Sequence, residues 1–465
     1  MRSLPFLVTL AVVACDSFTP PPITHSGPGP VASIVVRPDS ADLIVDDTLP
    51  LAAIALDAQG DTVTDAVVTW TTDDSNVVIV LPTGLAIAVS SGATLIRASA
   101  DGFSDSARLA VASITYRAVA AGDQHTCAVG NNRRAYCWGR DGSGQLGVVP
   151  AVLERPTATA VAAGATFVAV TSGSAHTCGL GADSLIRCWG ANGDGELGTG
   201  TPSTSALPAP IASSFHYVAV TAGGAHTCGL ATSGLVLCWG SNAVKELGGS
   251  GGASGATPSV ADDGILFTQV TAGAAHTCAL TPAGDAACWG SDSLGQRGDS
   301  LAAGTAPTTV VGGRRFTLLA AGGSHTCGLV AGAAYCWGSN GRGESGTGVA
   351  DTAVVAPVAV QGGLSYAQLV AGGDFTCGVT TDSLAYCWGA NDRGQVGDGT
   401  QTDRPAPTAV DGGMQFVELT AGALHVCGLT AAGVLYCWGD GTDGQLGLAI
   451  VPPFKATPTR VPFPP

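Results

Sequence analysis

The sequence contains few charged and few aromatic residues. Charged residues make up 12% of the 465-residue chain, aromatic residues 6%, and lysine occurs only at Lys245 and Lys455. This scarcity leaves little material for lysine-based catalysis. The formal net charge is -16 at pH 7, which argues against a nucleic-acid partner, because binding of phosphates needs a basic surface.

Familiar catalytic motifs are also missing. The chain has no His-Glu-x-x-His motif and no phosphate-binding loop. Gly248 to Gly252 spell a nucleophile elbow, but the surrounding Gly/Ser-rich loop is not the strand-turn-helix context that this motif needs. Asp-Gly turns such as Asp440 to Gly444 lack the spacing of an EF-hand calcium loop. We therefore predict no enzyme activity, no cofactor and no metal site.

What the chain has in abundance is glycine, with 67 residues. Glycine, together with many Ala, Val and Thr residues and few helix formers, is typical of short strands and tight turns. The composition therefore predicts an all-β protein, and the length allows two or three domains.

The N-terminus reads as an export signal. The apolar run from Leu4 to Ala14 is too short to cross a bilayer and fits the core of a signal peptide. Val12-Val13-Ala14-Cys15 resembles a bacterial lipobox, which implies cleavage after residue 14 and lipidation of Cys15. An ordinary secretory signal is the alternative, and either places the mature chain outside the cytoplasm.

A proline-rich tether and a β-domain are predicted to follow. Residues 15–30 include five prolines and almost no packing residues, as in a semi-rigid linker. Residues 31–113 contain short β-rich runs separated by Asp, Gly and Ser turns, which fits a β-sandwich. The segments IVV at 34–36, LDAQG at 56–60, VTW at 68–70 and GATLIRA at 92–98 resemble the bacterial Ig-like domain of group 2. We expect Trp70 to lie in the core, on a central strand.

The rest of the chain repeats one pattern seven times. Each copy has a cysteine, a second cysteine nine or ten residues later, a Trp-Gly pair and a Gly-rich turn, with a period close to 50 residues. The cysteine pairs are Cys127 and Cys137, Cys178 and Cys188, Cys228 and Cys238, Cys278 and Cys288, Cys327 and Cys336, Cys377 and Cys387, and Cys427 and Cys437. The tryptophans are Trp138, Trp189, Trp239, Trp289, Trp337, Trp388 and Trp438.

Each copy predicts four short strands, and a propeller explains them better than a solenoid. HTCGL and IRCWG alternate around a polar turn like a hairpin, and two further runs complete the unit. The Pro-led runs at Pro156, Pro208, Pro258, Pro307, Pro357, Pro407 and Pro458 are offset by one from the hairpins. We therefore predict that the C-terminal strand completes the blade that begins at Tyr116 and so closes the ring, which removes exposed sheet edges.

AGGSHTCGL and AYCWGSNGRGESG, at 321–329 and 334–346, resemble the regulator of chromosome condensation repeat. The resemblance covers residues 114–465 and implies a seven-bladed propeller. Departures from the pattern include Phe375, which replaces a histidine, and Arg297 and Ser345, which replace a leucine. These departures put the equivalence of individual blades in doubt, and not the fold.

The cysteine pairs are predicted to be disulfides. Directly opposed residues on antiparallel strands lie within disulfide distance, and an exported chain meets an oxidising environment. Zinc knuckles of the Cys-x-x-Cys type are absent, although a metal site and a redox pair remain the alternatives. Lipidation would use the odd fifteenth cysteine.

The recurring histidines and tryptophans are predicted to be structural. Six copies carry a histidine before the first cysteine, for which we expect a hydrogen bond to the blade backbone, with a ring of metal ligands as the alternative. The histidines are His125, His176, His226, His276, His325 and His425. The tryptophans are expected to pack against the neighbouring blade.

These features predict a non-enzymatic surface protein, held at a bacterial membrane by the lipid on Cys15. Its Ig-like domain would act as a spacer, and its propeller would bind a protein or glycan partner through the loops of one face. An enzyme that uses the central pocket of the propeller is the least favoured alternative, and two others remain. Eukaryotic relatives in the resembled family act as guanine-nucleotide exchange factors, and one bacterial relative inhibits an enzyme.

Overall fold

The computed structural model describes residues 29–149, 152–162, 164–249, 254–262, 264–299 and 307–463. Every regular element among these residues is a β-strand, and none of them belongs to an α-helix. The chain divides into two compact units between Val111 and Ala112. The predicted signal peptide, most of the predicted tether and the predicted lipidation site Cys15 lie outside the described residues.

The first unit consists of three small sheets. Their strand orders are β1-β4, β2-β9-β8-β5 and β3-β7-β6. The strands are β1 (Ser33–Arg37), β2 (Ser40–Ile44), β3 (Thr48–Pro50), β4 (Ala52–Leu56), β5 (Thr69–Thr72), β6 (Val78–Val80), β7 (Leu85–Ala88), β8 (Gly92–Ala100) and β9 (Phe103–Ala112). Alternate residues of β8, including Ile96 and Ala98, are buried, so that one face of its sheet forms core.

Trp70 does not occupy the position predicted for it. It lies on β5, which is an edge strand, and its side chain is only half-buried, beside Gly84. The VTW pattern indicates a strand but not the place of that strand in the sheet, because sheet order depends on contacts between distant segments. The Ig-like assignment of this unit stays a prediction.

The second unit contains seven four-stranded antiparallel sheets, which are the blades of a propeller. The first three blades are β10 to β13 (Tyr116–Ala121, His125–Gly130, Ala135–Arg140, Glu154–Ala160), β14 to β17 (Phe167–Ser172, His176–Gly181, Ile186–Gly190, Ser205–Pro210) and β18 to β21 (Tyr217–Ala222, His226–Ala231, Val236–Ser241, Ser254–Val260). The fourth and fifth are β22 to β25 (Gln269–Ala272, His276–Leu280, Ala286–Gly290, Thr308–Thr309) and β26 to β29 (Leu318–Ala321, His325–Val330, Ala333–Ser339, Ala353–Ala359). The last two are β30 to β33 (Tyr366–Ala371, Phe375–Thr380, Ala385–Gly389, Arg404–Ala409) and β34 to β37 (Glu418–Ala421, His425–Leu429, Leu435–Asp440, Phe454–Arg460).

The fourth strand of each blade is an edge strand that pairs with one neighbour only. In six blades this strand contains proline, for example Pro156 in β13 and Pro458 in β37. Proline has no N–H to offer a further strand, so it is tolerated at an edge and discourages pairing with another chain.

The ring is not closed as the sequence predicted. The C-terminal strand β37 pairs with β36, with Cys437 opposite Thr459, and therefore belongs to the seventh blade and not to the first. Every blade is continuous in sequence, because each Pro-led strand follows the hairpin with which it pairs.

Contacts between the seventh and first blades close the ring instead. The Tyr116 N–H donates to the Gly433 carbonyl at 3.0 Å, and the Ala121 N–H donates to Thr420 Oγ1 at 3.0 Å. Beyond the last strand, the Phe463 ring lies 5.8 Å from the Tyr116 ring, measured between centroids. Closure therefore rests on side chains and turns at one seam, without a shared sheet.

The arginine in the fourth copy is accommodated by a local ion pair. Arg297 is fully buried, and its Nη2 lies 2.6 Å from Oδ2 of Asp299, which is also buried. The equivalent residue in the second blade is the buried Leu197, and Thr199 stands where the fourth blade has Asp299. The fourth blade can therefore hold an arginine in the leucine position, because the buried charge of Arg297 is paired with Asp299.

Replacing Arg297 alone by leucine is expected to lower the free energy of unfolding by roughly 3–5 kcal/mol, since Asp299 would be left buried without its cation. The double variant R297L/D299T reproduces the residues of the second blade and is expected to recover most of the loss. Urea unfolding followed by tryptophan fluorescence measures both changes. Equal losses in the single and double variants would contradict the pairing argument.

Candidate functional site

A central channel lies at the propeller axis. It encloses about 240 Å³ and is lined by the ends of the seven first strands and the turns that follow them. The lining residues are small, three from each blade, and begin with Ala121, Gly122 and Asp123 in the first blade. Asp123 is the single charged residue among the described residues of this lining. The channel therefore offers, in the part of the chain described, no pair of acid and base groups and no cluster of nucleophiles.

Glycine is required in this lining because the blades approach closely. A Cβ on Gly122 would lie 2.5 Å from the Gly173 carbonyl oxygen of the next blade and 2.5 Å from the His125 ring. Backbone hydrogen bonds also cross between blades here, as from the Asp123 N–H to the Gly173 carbonyl at 3.3 Å. The recurring glycines therefore set the spacing at the axis.

Each recurring histidine binds a threonine of the next blade. His125 Nε2 lies 2.9 Å from Thr177 Oγ1, and Thr177 Oγ1 donates to the Gln145 carbonyl at 2.8 Å. The same carbonyl accepts from Trp189 Nε1 at 2.9 Å. The predicted partner, the blade backbone, was therefore wrong for the histidine: the imidazole bonds a side chain, and threonine and tryptophan bond the backbone.

This arrangement repeats around the ring. The histidine–threonine pairs are His125–Thr177, His176–Thr227, His226–Thr277, His276–Thr326, His325–Thr376 and His425–Thr126. All seven tryptophans donate to a turn carbonyl of the preceding blade, with Trp138 reaching back to Gln445 of the seventh. The residues that recur in sequence thus form the seams between blades.

The buried histidines are neutral. A hydroxyl has one hydrogen, and Thr177 gives it to Gln145, so His125 must donate from Nε2. Burial lowers the pKa of His125, His226, His276 and His425 to about 3 and that of His176 and His325 to about 4. An imidazole that donates one hydrogen bond to a threonine of the next blade acts as a structural link between the two blades.

The sixth seam replaces both partners together. Phe375 stands in the histidine position, and Val426 stands where the next blade would carry threonine. Both side chains are fully buried in one apolar cluster. A polar pair is thus exchanged for an apolar pair, so neither a donor nor a hydroxyl is left unpaired.

A matched exchange at another seam should be tolerated better than either half of it. T177V leaves the His125 Nε2–H buried without an acceptor, and we expect it to cost roughly 1–3 kcal/mol of unfolding free energy. H125F/T177V recreates the sixth seam and is expected to recover most of that cost. A double-mutant cycle from urea unfolding measures the coupling, and strictly additive losses would contradict it.

The cysteines of each pair are bonded in the structure. Seven disulfides join the second and third strands of the seven blades, with Cα–Cα distances of 4.0 to 4.1 Å. All fourteen cysteines are fully buried, for example Cys178 opposite Cys188. The pairs therefore act as clamps inside the blades, away from any surface on which a redox partner could act.

The loops between the third and fourth strands form the variable part of one face. Leu153, Val349 and Ile450 are exposed in the loops of the first, fifth and seventh blades. Arg342 of the fifth blade bridges to the sixth, with its Nη2 2.8 Å from Asp403 Oδ1 and 3.4 Å from Asp392 Oδ1. Because these loops differ in sequence from blade to blade, the face is chemically uneven.

Metal-binding clusters and membrane-spanning helices do not occur among the described residues. In that part of the chain, no group of three or more His, Cys, Asp or Glu side chains could hold a metal ion. No helix there is long and apolar enough to cross a membrane.

Sequence reasoning missed the turn carbonyls and Glu418. The Gln or Glu of each Gly-rich turn contributes its backbone oxygen to the seam, as Gln145 does, and a backbone role leaves no signature in residue type. Glu418 lies between the seventh and first blades, and a carboxyl group amid the apolar residues of a first strand was the available signal.

Comparison with known proteins gives one family. The model of the RCC1-like domain matches residues 143–465, and the model of the regulator of chromosome condensation (RCC1) repeat matches residues 116–145.

Several solved structures are similar in fold. Prp20p from Saccharomyces cerevisiae is 21% identical with a TM-score of 0.63, covering 75% of this chain and 87% of that chain. Yeast RCC1 (Prp20) bound to Kap60 is 22% identical with a TM-score of 0.63, covering 70% and 83%. Human WBSCR16 is 21% identical with a TM-score of 0.65, covering 71% and 95%. At these identities the likeness concerns the fold alone.

Proposed function

The chain belongs to the RCC1-like domain family, and from that premise we propose that it is an exported binding protein, held at a bacterial membrane by a lipid on Cys15. Its propeller binds a protein or glycan through the loops between the third and fourth strands. Residues 31–113 form an Ig-like spacer that holds the propeller, residues 114–465, away from the membrane. Function here is argued from the sites, because one fold serves many functions.

One observation carries the binding role. The recurring residues are buried, either in seams between blades, as His125 and Trp189 are, or in disulfides within blades, whereas the exposed loops differ between blades. A rigid scaffold that presents unlike loops is the usual arrangement of a recognition surface. The channel lining, with one charged residue among those described, gives no comparable support to catalysis.

The seven buried disulfides support export. Structural disulfides persist in oxidising compartments and are rare in the cytosol. They weigh against an intracellular guanine-nucleotide exchange factor, although the similar yeast protein Prp20p has binding properties towards Gsp1p and histones. An enzyme inhibitor remains compatible with export, and it would use the same loops.

The binding role is tested by capture with the full-length oxidised protein, comparing wild type with a variant whose 448–453 loop is replaced by Gly/Ser residues of equal length. A partner lost by this variant, or by a second variant with the 347–352 loop replaced, supports recognition by the loops. Partners retained by both variants would overturn it. Nucleotide exchange on a small GTPase, or inhibition of a secreted hydrolase, would favour the two alternatives.

Anchoring is tested separately in cells. Metabolic labelling with a fatty acid is expected to mark the wild-type chain and not a C15S variant, which should leave the membrane fraction. Labelling that survives the C15S substitution would contradict the lipid assignment.

A further inference from the structure

Glutamine side chains join neighbouring first strands at two seams. Gln269 Oε1 accepts from the Leu319 N–H at 3.0 Å, and its Nε2 donates to the Leu319 carbonyl at 2.9 Å. Gln368 makes the same two bonds with Leu419, at 2.8 and 3.2 Å. Each amide therefore satisfies one donor and one acceptor of the next blade, as a neighbouring strand would.

Glu418 occupies the same register at the seam that closes the ring. Gln269, Gln368 and Glu418 all pair with the corresponding residue of their second strand, namely Leu280, Val379 and Leu429.

The residue that faces Glu418 is also equivalent. Val119 has the register of Leu319 and Leu419, and its backbone N–H donates to the Glu418 carboxyl. A carboxylate can accept that bond but has no hydrogen for the Val119 carbonyl, whereas a carboxylic acid has one.

We propose that Glu418 is held as a neutral carboxylic acid whose O–H donates a hydrogen bond to the Val119 carbonyl. The seam between the seventh and first blades is then a closure that depends on this proton. The acid then replaces the amide of Gln269 and Gln368 at the one seam where the two ends of the repeat meet. The other seams where a glutamine joins the first strands keep their bonds at any pH.

The surroundings of Glu418 agree with this assignment. Burial raises the pKa of Glu418 to about 7, against a weaker lowering by the Val119 N–H. The titratable groups on the strands packed against β34 are Tyr116 and Arg117 on β10, Tyr366 on β30 and His425 on β35. None of them contributes a charge interaction to this shift. Glu418 is half-buried as a residue, which leaves a route for proton exchange with solvent.

The direction of the pH effect follows from linkage. A carboxyl whose pKa is higher in the folded state adds stability below its unfolded pKa, and this stability is lost as the pH rises to the folded pKa of about 7. The closing seam should therefore be tighter at pH 5.5 than at pH 8.

The first experiment compares wild type with E418Q, which keeps the hydrogen bonds and removes the titration. The ratio of the wild-type unfolding constant to that of E418Q is expected to rise about 30-fold between pH 5.5 and pH 8. Because both proteins carry the same buried histidines, the contribution of the histidines to the pH dependence of unfolding cancels in this ratio. Q368E is the matched control, and it should add a second pH-dependent seam of the same sign.

The second experiment observes the carboxyl directly. With ¹³C-labelled glutamate, the side-chain carbon of Glu418, one of five glutamates in the chain, should titrate near pH 7. Comparison with E418Q assigns the signal, or E418D if E418Q does not fold. Titration near pH 4.5, or a ratio of unfolding constants that does not change with pH, would overturn the proposal.

Discussion

Acidification from pH 7 to pH 4.5 is expected to unfold the propeller, because six buried histidines must take up protons when the chain unfolds. Their folded-state pKa is lowered by burial to about 3 or 4, against an ordinary value of 6.5. A group with a depressed pKa in the folded state contributes stability above its unfolded pKa. That stability is lost as the pH falls from 6.5 towards 4.

The expected loss is large compared with the stability of a typical domain. Each histidine should lose roughly 2 kcal/mol by pH 5, since one pKa unit corresponds to about 1.4 kcal/mol. Six such losses are comparable to the ~5–15 kcal/mol that stabilises most native proteins. Glu418 opposes this trend, as do four further carboxyls whose pKa is raised by desolvation, namely Asp141, Glu196, Asp292 and Asp374.

Calorimetry between pH 8 and pH 4 measures this dependence, with proton uptake on unfolding as the direct readout. The variant H125F/T177V is the matched control, because it removes one buried histidine while copying the sixth seam. Its proton uptake near pH 5 should be smaller by about one. A melting temperature that does not change between pH 7 and pH 4.5, or an unchanged uptake in the control, would contradict the prediction.

The repeat is the part of the fold that sequence predicts best. A period near 50 residues and the spacing of Cys127 to Cys137 report contacts within one hairpin, where residues opposite each other are also close in sequence. The seven four-stranded sheets follow from this local information.

The way in which the ring closes was predicted wrongly, because each Pro-led strand is nearly equally far in sequence from the hairpin before it and the hairpin after it. Pro307 lies almost equally far from Cys288, which precedes it, and from Cys327, which follows it. Spacing alone therefore cannot decide with which hairpin the Pro-led strand pairs. The structure pairs Thr308 with Cys288, in the preceding hairpin.

The seams were missed for a related reason. His125 and Thr177 are 52 residues apart, so their hydrogen bond cannot be read from the sequence near either one. The paired exceptions Phe375 and Val426 were nevertheless visible in the aligned copies. An apolar residue in one histidine position and another in the following threonine position indicate that the two positions touch.

The native protein is expected to resist reduction, and the reduced chain is expected not to refold. All seven disulfides are fully buried, so dithiothreitol should reach them only after the blades open. Each closes a loop of about ten residues, which the chain-entropy model equates with roughly 2–3 kcal/mol. Losing all seven disulfides should therefore lower the free energy of unfolding below zero, so that the reduced chain stays unfolded.

Mass spectrometry after alkylation separates these steps. Native protein in dithiothreitol should show no alkylated cysteine among the seven pairs, whereas protein treated in 6 M guanidinium should show all fourteen and should stay unfolded after dilution. C278A/C288A removes one clamp, and it should cost about 2–3 kcal/mol while the remaining six allow folding. The assignment of the cysteine pairs as disulfides would be contradicted by free thiols in protein isolated directly from its cell. Their structural role would be contradicted if the reduced chain recovered the native fold. Because the same bonds support export, free thiols would also weaken the case for a protein that works outside the cytoplasm.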